Sequence, residues 1–154
     1  MDARRIDLLQ QMPLFGGLSA STLELLAGDA QPVDVPAGGY FFRQGEAGEH
    51  LFVLESGRVV VQRHTPRGPL PLRELGPGDC FGEMALIDFA PRSASVQALE
   101  PSRAFALSTA RLHRLYEQDL EQFALIQMNL ARELSRRLRA TMDRLAGAVD
   151  ASEP

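Results

Sequence analysis

An acidic and a basic side chain stand at opposite ends of a short apolar segment near the middle of this 154-residue sequence, FGEMALIDFAPRSASV. Glu83 follows a glycine, and Arg92 follows a proline and precedes Ser93. A carboxylate accepts hydrogen bonds from hydroxyl groups, whereas the planar guanidinium offers a fork of donors that suits two phosphate oxygens. The pair predicts a site for a ligand that carries both a hydroxyl group and an anion.

The backbone around Glu83 favours the same kind of ligand. The segment after Gly82 is predicted to begin a short helix, whose first N–H groups, from Gly82 to about Ala85, have no partner within the helix. Such N–H groups attract phosphate, and Ser93 adds a hydroxyl and another N–H. A carboxylate would repel a phosphate alone, but Glu83 can accept a hydrogen bond from a ribose hydroxyl while Arg92 holds the phosphate. The two residues therefore predict a ribonucleotide site.

Length and charge limit the classes of protein to which this chain can belong. At 154 residues it has room for one domain with a helical extension. Sixteen basic and 20 acidic side chains give a formal charge of -4, which argues against non-specific attraction to nucleic acid or anionic membranes. No apolar run approaches the ~18 residues of a spanning helix. We expect no membrane contact.

The residue types that metal centres and catalytic sites require are scarce. Cys80 is the single cysteine, so no internal disulfide can form, and a reducing compartment such as the cytoplasm is expected. One cysteine with three scattered histidines cannot form an iron–sulfur cluster or a C-x-x-C zinc site, and the histidines lack the H-x-H spacing of cupin oxygenases. The nucleophile elbow G-x-S-x-G is also missing. We expect neither a metal nor an enzyme.

Helical spacing marks both ends of the chain. Apolar residues recur with helical periodicity over 5–12 and 19–28, where Ser19 or Ser21 is the expected N-cap and Gly28 the stop. These helices define an N-terminal unit over residues 1–30.

Residues 31–108 differ in character, because short apolar runs alternate with Gly- and Pro-rich turns every 8 to 12 residues or so. This pattern predicts an α+β, mainly β, fold built on an antiparallel β-roll or jelly roll of about eight strands. The short helix after Gly82 is predicted to interrupt the roll.

A long amphipathic helix is predicted within the C-terminal helical region, residues 109–147. Its apolar stripe runs through Ile126, Leu130, Leu134, Leu138, Met142 and Leu145 at steps of four and finally three. Either the β-domain or the same helix of a second copy must cover that stripe, and a homodimer is expected. The polar face, within RELSRRLRATMDR, is interpreted as a solvated face or a specific surface. Residues 148–154 are expected to form a disordered tail.

The segment from Phe81 to Val96 resembles the phosphate-binding cassette of cyclic-nucleotide-binding domains. These domains occur in catabolite-activator-type regulators, cyclic-AMP-dependent kinase regulatory subunits and nucleotide-gated channels. FGEMALI and PRSASV match the family pattern F-G-E-L-A-L-I and P-R-x-A-T-V with the same separation of Glu and Arg. MPLFGGLSASTLELLA resembles the family's opening helices, and AGGYFFRQGEAGEHLFVLESGRVVV its first strands. Gly45, Gly57 and Gly78 fall at tight turns of that roll.

The resemblance assigns roles to individual residues. It implies that Glu83 accepts the ribose 2′-hydroxyl and that Arg92 binds the phosphate. Backbone and hydroxyl contacts to the ligand are implied for Gly82, Met84, Ala85, Ser93 and Ala94. Val61 and Leu72 correspond to apolar pocket positions, although a role in the core fits them equally well. Thr141 matches the first of two helix hydroxyls that cap the base in catabolite-activator-type dimers, but Met142 departs from the second.

The resemblance implies a cyclic-nucleotide sensor, for cyclic AMP or cyclic GMP, that signals by moving its C-terminal helix. Ser93 leaves the base open, because a hydroxyl after the cassette arginine accompanies either nucleotide. The sequence ends at Pro154 without the roughly 50 residues of a winged helix-turn-helix. We therefore expect no direct DNA binding and a separate effector protein. The alternatives are a ligand-free protein-interaction module and a regulatory fragment of a larger regulator or channel.

Overall fold

A computed structural model describes residues 3–152, except for the side chains of Ala85, Leu86 and Ser152. Eight antiparallel strands and five α-helices lie within this part of the chain. The predicted mainly β roll, with N-terminal helices, a short helix after Gly82 and a long C-terminal helix, is confirmed.

Helices lie at both ends of the sequence, and one short helix lies between two of the strands. Their bounds are α1 (Ala3–Gln11), a 3-10 turn (Pro13–Phe15), α2 (Ala20–Ala27), α3 (Met84–Asp88), α4 (Thr109–Gln118) and α5 (Leu120–Ser152). Ser19 is the N-cap of α2, since its side chain accepts a hydrogen bond from the Thr22 N–H at 3.2 Å. Of the two serines considered, the first therefore caps this helix.

The strands form two four-stranded sheets. Their bounds are β1 (Pro32–Val35), β2 (Tyr40–Phe42), β3 (His50–Ser56), β4 (Val59–Thr65), β5 (Gly68–Leu75), β6 (Cys80–Phe81), β7 (Ser95–Ala98) and β8 (Ser102–Ser108). One sheet has the order β1-β8-β3-β6 and the other β2-β7-β4-β5. Gly45, Gly57 and Gly78 have φ values of 89°, 96° and 90°, so the turns expected there are confirmed.

Two hydrophobic clusters hold these layers together. Strand β3 serves both, because its alternate side chains point to opposite faces. Leu51 and Val53 join the cluster under the helices, which contains Phe15, Phe105 and Leu115. Leu54 joins the cluster between the two sheets, with Val59, Leu75, Phe81, Val96 and Ala104. The two residues of β6, the strand before α3, are divided between the clusters, with Cys80 in the first and Phe81 in the second.

The first half of α5 is anchored to its own domain. Asp119 caps the helix, accepting the Gln122 N–H on its side chain at 3.2 Å. Ile126 and Leu130 are buried in the cluster under the helices. Between them, the buried Asn129 amide donates to the carbonyls of Leu14 and Gly16 at 3.1 and 2.9 Å. These contacts fix the direction in which the second half of α5 leaves the domain.

The second half of α5 departs from two expectations. The apolar stripe does not act as one surface, since Ile126 and Leu130 pack within the domain while Leu138, Met142 and Leu145 are exposed. Residues 148–152, expected to be disordered, continue the helix, because Ala148 and Ala151 favour helix and Gly147 alone does not stop it. No described helix combines the length and apolar character needed to cross a bilayer.

Candidate functional site

A cavity of about 620 Å³ lies between the β2-β7-β4-β5 sheet, the α3 segment and α5. This volume is in the range of small-molecule sites, ~300 to 1,000 Å³. Its wall includes five arginines and one acid: Arg73, Arg92, Arg136, Arg137, Arg144 and Glu83. Apolar side chains from the strands and from α5 complete the wall, namely Phe42, Val61, Leu72, Phe81, Val96, Leu134 and Leu138. The chemistry of the cavity favours an anionic ligand with an apolar part.

Arg92 is buried in this cavity without a counter-ion. Its side chain is 6% exposed, and it forms no ion pair with any residue that the structure describes. Nη1 donates to the Gly82 carbonyl at 3.1 Å and Nη2 to the His50 carbonyl at 3.0 Å, while the guanidinium lies 4.0 Å from the centre of the Phe42 ring. Its buried Nε has no hydrogen-bond partner within residues 3–152. Burial lowers the pKa of this guanidinium.

Two glycines make room for the Arg92 guanidinium. A Cβ on Gly48 would overlap with Nε, Cζ and Nη2 of Arg92, and one on Gly82 would crowd Nη1. Gly82 also has a φ of 82°, in the region that side chains other than glycine rarely adopt. The position of the guanidinium therefore depends on loop residues distant from it in sequence.

Glu83 forms an ion pair with α5. Its side chain is buried, and its Oε1 contacts Nη1 of Arg137, which is also shielded from solvent. Arg137 further donates to the Cys80 carbonyl at 3.0 Å and to Glu133 Oε1 at 3.1 Å. Burial lowers the pKa of the Arg137 guanidinium and raises that of the Cys80 thiol, whose rise the charge of Arg137 partly offsets. One arginine thus links the segment before α3 to the long helix.

The structure brings the sequence-predicted residues together around this cavity. Gly82, Glu83, Met84, Arg92, Ser93 and Ala94 line it on one side, Val61 and Leu72 on the sheet, and Thr141 on α5. Val61 and Leu72 are half-buried and face the cavity. The Thr141 hydroxyl donates to the Arg137 carbonyl at 2.9 Å. Ala85 is the second residue of α3, and its side chain lies outside the described residues.

Sequence reasoning did not single out Arg137, Arg144 or Arg73. Arg137 and Arg144 belong to the face of α5 that continues Ile126, Leu130 and Leu134 at helical spacing, so the helical phase could have placed them toward the domain. Arg144 also donates to the Leu72 carbonyl. Arg73 lies in a strand whose register the sequence alone does not specify.

Among the residues that the structure describes, no three His, Cys, Asp or Glu side chains are grouped so that they could hold a metal ion. The polar groups of the cavity are guanidiniums, one carboxylate, two hydroxyls and backbone N–H groups.

Comparison with known sequences identifies the family. The profile of the cyclic nucleotide-binding domain matches residues 32–119, which span β1 to α4. The chain belongs to the cyclic nucleotide-binding domain family. It is 34% identical over 149 residues to a CRP-like cAMP-activated global transcriptional regulator of Mycobacterium tuberculosis, covering 96% of this chain and 65% of the relative. It is 38% identical over 128 residues to the cyclic AMP receptor protein of Thermus thermophilus, covering 82% and 57%.

A solved structure agrees with this assignment. A cyclic nucleotide-binding domain from Methylobacillus flagellatus superposes with a TM-score of 0.81 at 27% identity, covering 92% of this chain and 80% of that one. The chain spans less than two thirds of the length of the two regulators. The part that it shares with them includes the cyclic nucleotide-binding domain.

The packing of Gly48 against Arg92 generates a prediction for this cyclic nucleotide-binding domain. In Gly48→Ala, the new methyl group should displace the Arg92 guanidinium from the two carbonyls that hold it. We expect about tenfold or greater loss of affinity for cyclic nucleotide, since a charge-assisted hydrogen bond contributes ~1.5 to 3 kcal/mol. Isothermal titration with cyclic AMP and cyclic GMP measures the loss.

Gly76→Ala is the matched control, because a Cβ there would meet only Arg58, at 3.8 Å. It should leave affinity unchanged. Wild-type affinity in Gly48→Ala would contradict the view that this glycine sets the position of Arg92.

Proposed function

We propose that this domain binds a cyclic ribonucleotide, cyclic AMP or cyclic GMP, and that Arg92 binds its phosphate. The observation that carries the proposal is the buried guanidinium with no ion-pair partner in the described chain. Burying an uncompensated charge costs several kcal/mol, and an anion in the cavity would offset that cost. The free Nε of Arg92 supplies a donor in addition to those already used. A cyclic phosphate offers two exocyclic oxygens to such a donor set.

Glu83 binds the ribose in this proposal. Its carboxylate already forms an ion pair with Arg137, but a carboxylate has lone pairs for further donors and can accept a 2′-hydroxyl as well. The ion pair orients Glu83 and partly neutralises it beside the phosphate. Gly82, Met84, Ala85, Ser93 and Ala94 then surround the sugar and phosphate, with Ser93 Oγ now resting 3.6 Å from the Met84 sulfur.

The base occupies the apolar end of the cavity. Val61 and Leu72 form the sheet side, and Leu134 and Leu138 the helix side. Thr141 faces the same space, and its hydroxyl oxygen keeps acceptor capacity while it donates to Arg137. Thr141 is thus the base-capping hydroxyl of this proposal.

Ligand binding shifts α5 through Arg137. The apolar side chains of Ile87 and Phe89 in the cassette are exposed, whereas Glu83 contacts α5 directly. A ribose hydroxyl on Glu83 changes the partners of Arg137 and hence the preferred position of the helix. The ligand can shift that equilibrium only by its differential affinity for the two states, typically ~1 to 3 kcal/mol.

A second copy of the chain covers the exposed apolar face of α5. Leu138, Met142, Leu145 and Val149 are 51% to 66% exposed, and both Leu138 to Leu145 and Met142 to Val149 are steps of seven. A seven-residue apolar repeat is the pattern of a two-stranded coiled coil. Nucleotide-dependent motion of α5 would then change the dimer geometry and reach an effector, which is a separate protein or domain in the cytoplasm.

Loss of the Arg92 guanidinium tests nucleotide binding directly. Arg92→Ala should weaken binding of cyclic nucleotide by about 2 to 5 kcal/mol, roughly 30-fold to several-thousand-fold, because the phosphate charge loses its partner. The melting temperature without ligand should change little, since two hydrogen bonds and one buried charge are lost together. Titration calorimetry and thermal melts of the same samples provide both numbers.

Arg67→Ala removes an exposed arginine from the β4–β5 hairpin and should bind like the wild type. Equal affinities of wild type and Arg92→Ala would contradict the phosphate assignment. No binding of either cyclic nucleotide by the wild type would leave the ligand-free interaction module as the better description.

The oligomeric state tests the proposed coiled coil. The double variant Leu138→Glu, Leu145→Glu places charges on the exposed stripe and should convert a dimer into monomers in sedimentation or light scattering. Leu70→Glu is the control, since this leucine is 52% exposed but lies in β5. A wild-type monomer at high micromolar concentration would contradict the dimer.

A further inference from the structure

Arg63, in the second half of β4, contacts the backbone of the segment that carries Arg92 and Ser93. Its Nη1 donates to the Ser93 carbonyl at 2.7 Å. Ser93 lines the cavity, whereas the exposed side chain of Arg63 lies outside the cavity wall. A residue outside the site is thus bonded directly to the backbone of a residue within it.

The hydrogen bond from Arg63 lies where the pairing of β4 with β7 ends. The last pair of that ladder joins Gln62 to Ser95. Gln62 is buried, and its amide donates to Gln97 Oε1 at 3.2 Å, so β4 is held firmly up to this residue. The side chain of the next residue, Arg63, therefore starts from a fixed position and extends the link between the two strands to Ser93.

The residue before Ser93 is held in a different way. Gly45 donates its N–H to the Arg92 carbonyl, and Arg92 donates its N–H to the Glu46 carbonyl, both at 2.8 Å. These bonds join main-chain groups, so they do not depend on which side chains are present. The Ser93 carbonyl instead depends on a side chain from another strand, and a substitution of Arg63 would remove that bond alone.

Arg63 restricts the peptide unit that joins Ser93 to Ala94. Because a peptide unit is planar, a bond to the Ser93 carbonyl also limits the direction of the Ala94 N–H. Both residues line the cavity. The Ser93 hydroxyl donates to the Met84 sulfur at 3.6 Å, and a thioether is a weak acceptor that a phosphate oxygen would replace. The donors of Ser93 and Ala94 are therefore placed for a ligand as long as their backbone is held.

We propose that Arg63 is a positioning residue for the phosphate site, which keeps the donors of Ser93 and Ala94 in place by holding the Ser93 carbonyl. Arg63 itself does not touch the ligand. The inference rests on the proposed function, because it takes the phosphate of a cyclic nucleotide to lie beside Arg92 and Ser93. Donors that are already ordered bind a ligand more tightly, since the cost of ordering them is not incurred on binding.

The variant Arg63→Met is the first test, because it keeps a long side chain and removes its donors. Affinity for cyclic AMP and cyclic GMP, measured by isothermal titration, should fall about threefold to tenfold, the range expected for the loss of one hydrogen bond. Arg67→Met removes the same charge from an exposed position of the same hairpin and should bind like the wild type. Wild-type affinity in Arg63→Met, or equal losses in the two variants, overturns the inference.

A double-mutant cycle with Ser93→Ala tests whether Arg63 acts through Ser93. Ser93→Ala removes the hydroxyl that Arg63 is proposed to hold in place. The loss of Arg63 should then cost less affinity in the Ser93→Ala background than in the wild type, since residues that act through one another are not additive. If the double variant loses affinity by the full product of the two single losses, the two residues act independently and the inference is overturned.

Thermal melts and the variant Arg92→Ala separate failure of this inference from failure of the proposed function. The melting temperature of Arg63→Met without ligand should stay close to that of the wild type, because the lost hydrogen bond is exposed. If Arg92→Ala loses affinity and Arg63→Met does not, the phosphate assignment holds and the positioning role is wrong. If the wild type binds neither cyclic AMP nor cyclic GMP, the proposed function and the inference are both overturned.

Discussion

The buried positive charge of Arg92 is the constraint around which the cavity is built. Its guanidinium is held by two carbonyls and the Phe42 ring, and it fits only because Gly48 and Gly82 lack side chains. Carbonyls and an aromatic face stabilise a cation without neutralising it. The fold thus holds a buried positive charge that an anionic ligand can neutralise. The glycines in the loops before β3 and α3 leave the space for it.

The two halves of helix α5 have different roles. In the first half, Ile126 and Leu130 pack in the hydrophobic core. Asn129 donates hydrogen bonds to two backbone carbonyls at the N-terminal 3-10 turn. The second half lines the cavity with Arg137 and Arg144 and exposes an apolar stripe that begins at Leu138, a residue that also lines the cavity. Because Arg137 contacts Glu83, the same helix that would meet a second copy also senses the proposed ribose site. Coupling between nucleotide and helix therefore needs no long pathway.

Much of this arrangement could be predicted from the sequence, because it depends on local patterns. The Gly- and Pro-punctuated strands predicted the roll, the spacing of Glu83 and Arg92 predicted the cassette, and the helical stripe predicted α5. The structure places the predicted site residues around one cavity, except Ala85, whose side chain is not described. Arg137 could not be singled out, because it lies in an arginine-rich stretch of α5 and such charged helix faces are usually solvated. Arg73 follows a β-bulge in β5, where the pairing with β4 shifts by one residue, and local sequence does not determine such a shift. The apolar stripe of α5 is buried at Ile126 and Leu130 and exposed from Leu138 onward. Where this change occurs depends on how much of the helix the rest of the domain covers, which is a matter of tertiary packing and not of local sequence.

Nucleotide binding at Arg92 and Glu83 is proposed to be coupled to α5 through Arg137. Hydrogen exchange of the full chain, with and without saturating cyclic GMP or cyclic AMP, measures this coupling without any assumption about the effector. We expect changed protection both in residues 80–96 and in residues 133–145, with the change in α5 lost in Arg137→Ala while the cassette still responds. Protection confined to residues 80–96 in the wild type would contradict the coupling, and α5 would then be a fixed wall of the cavity.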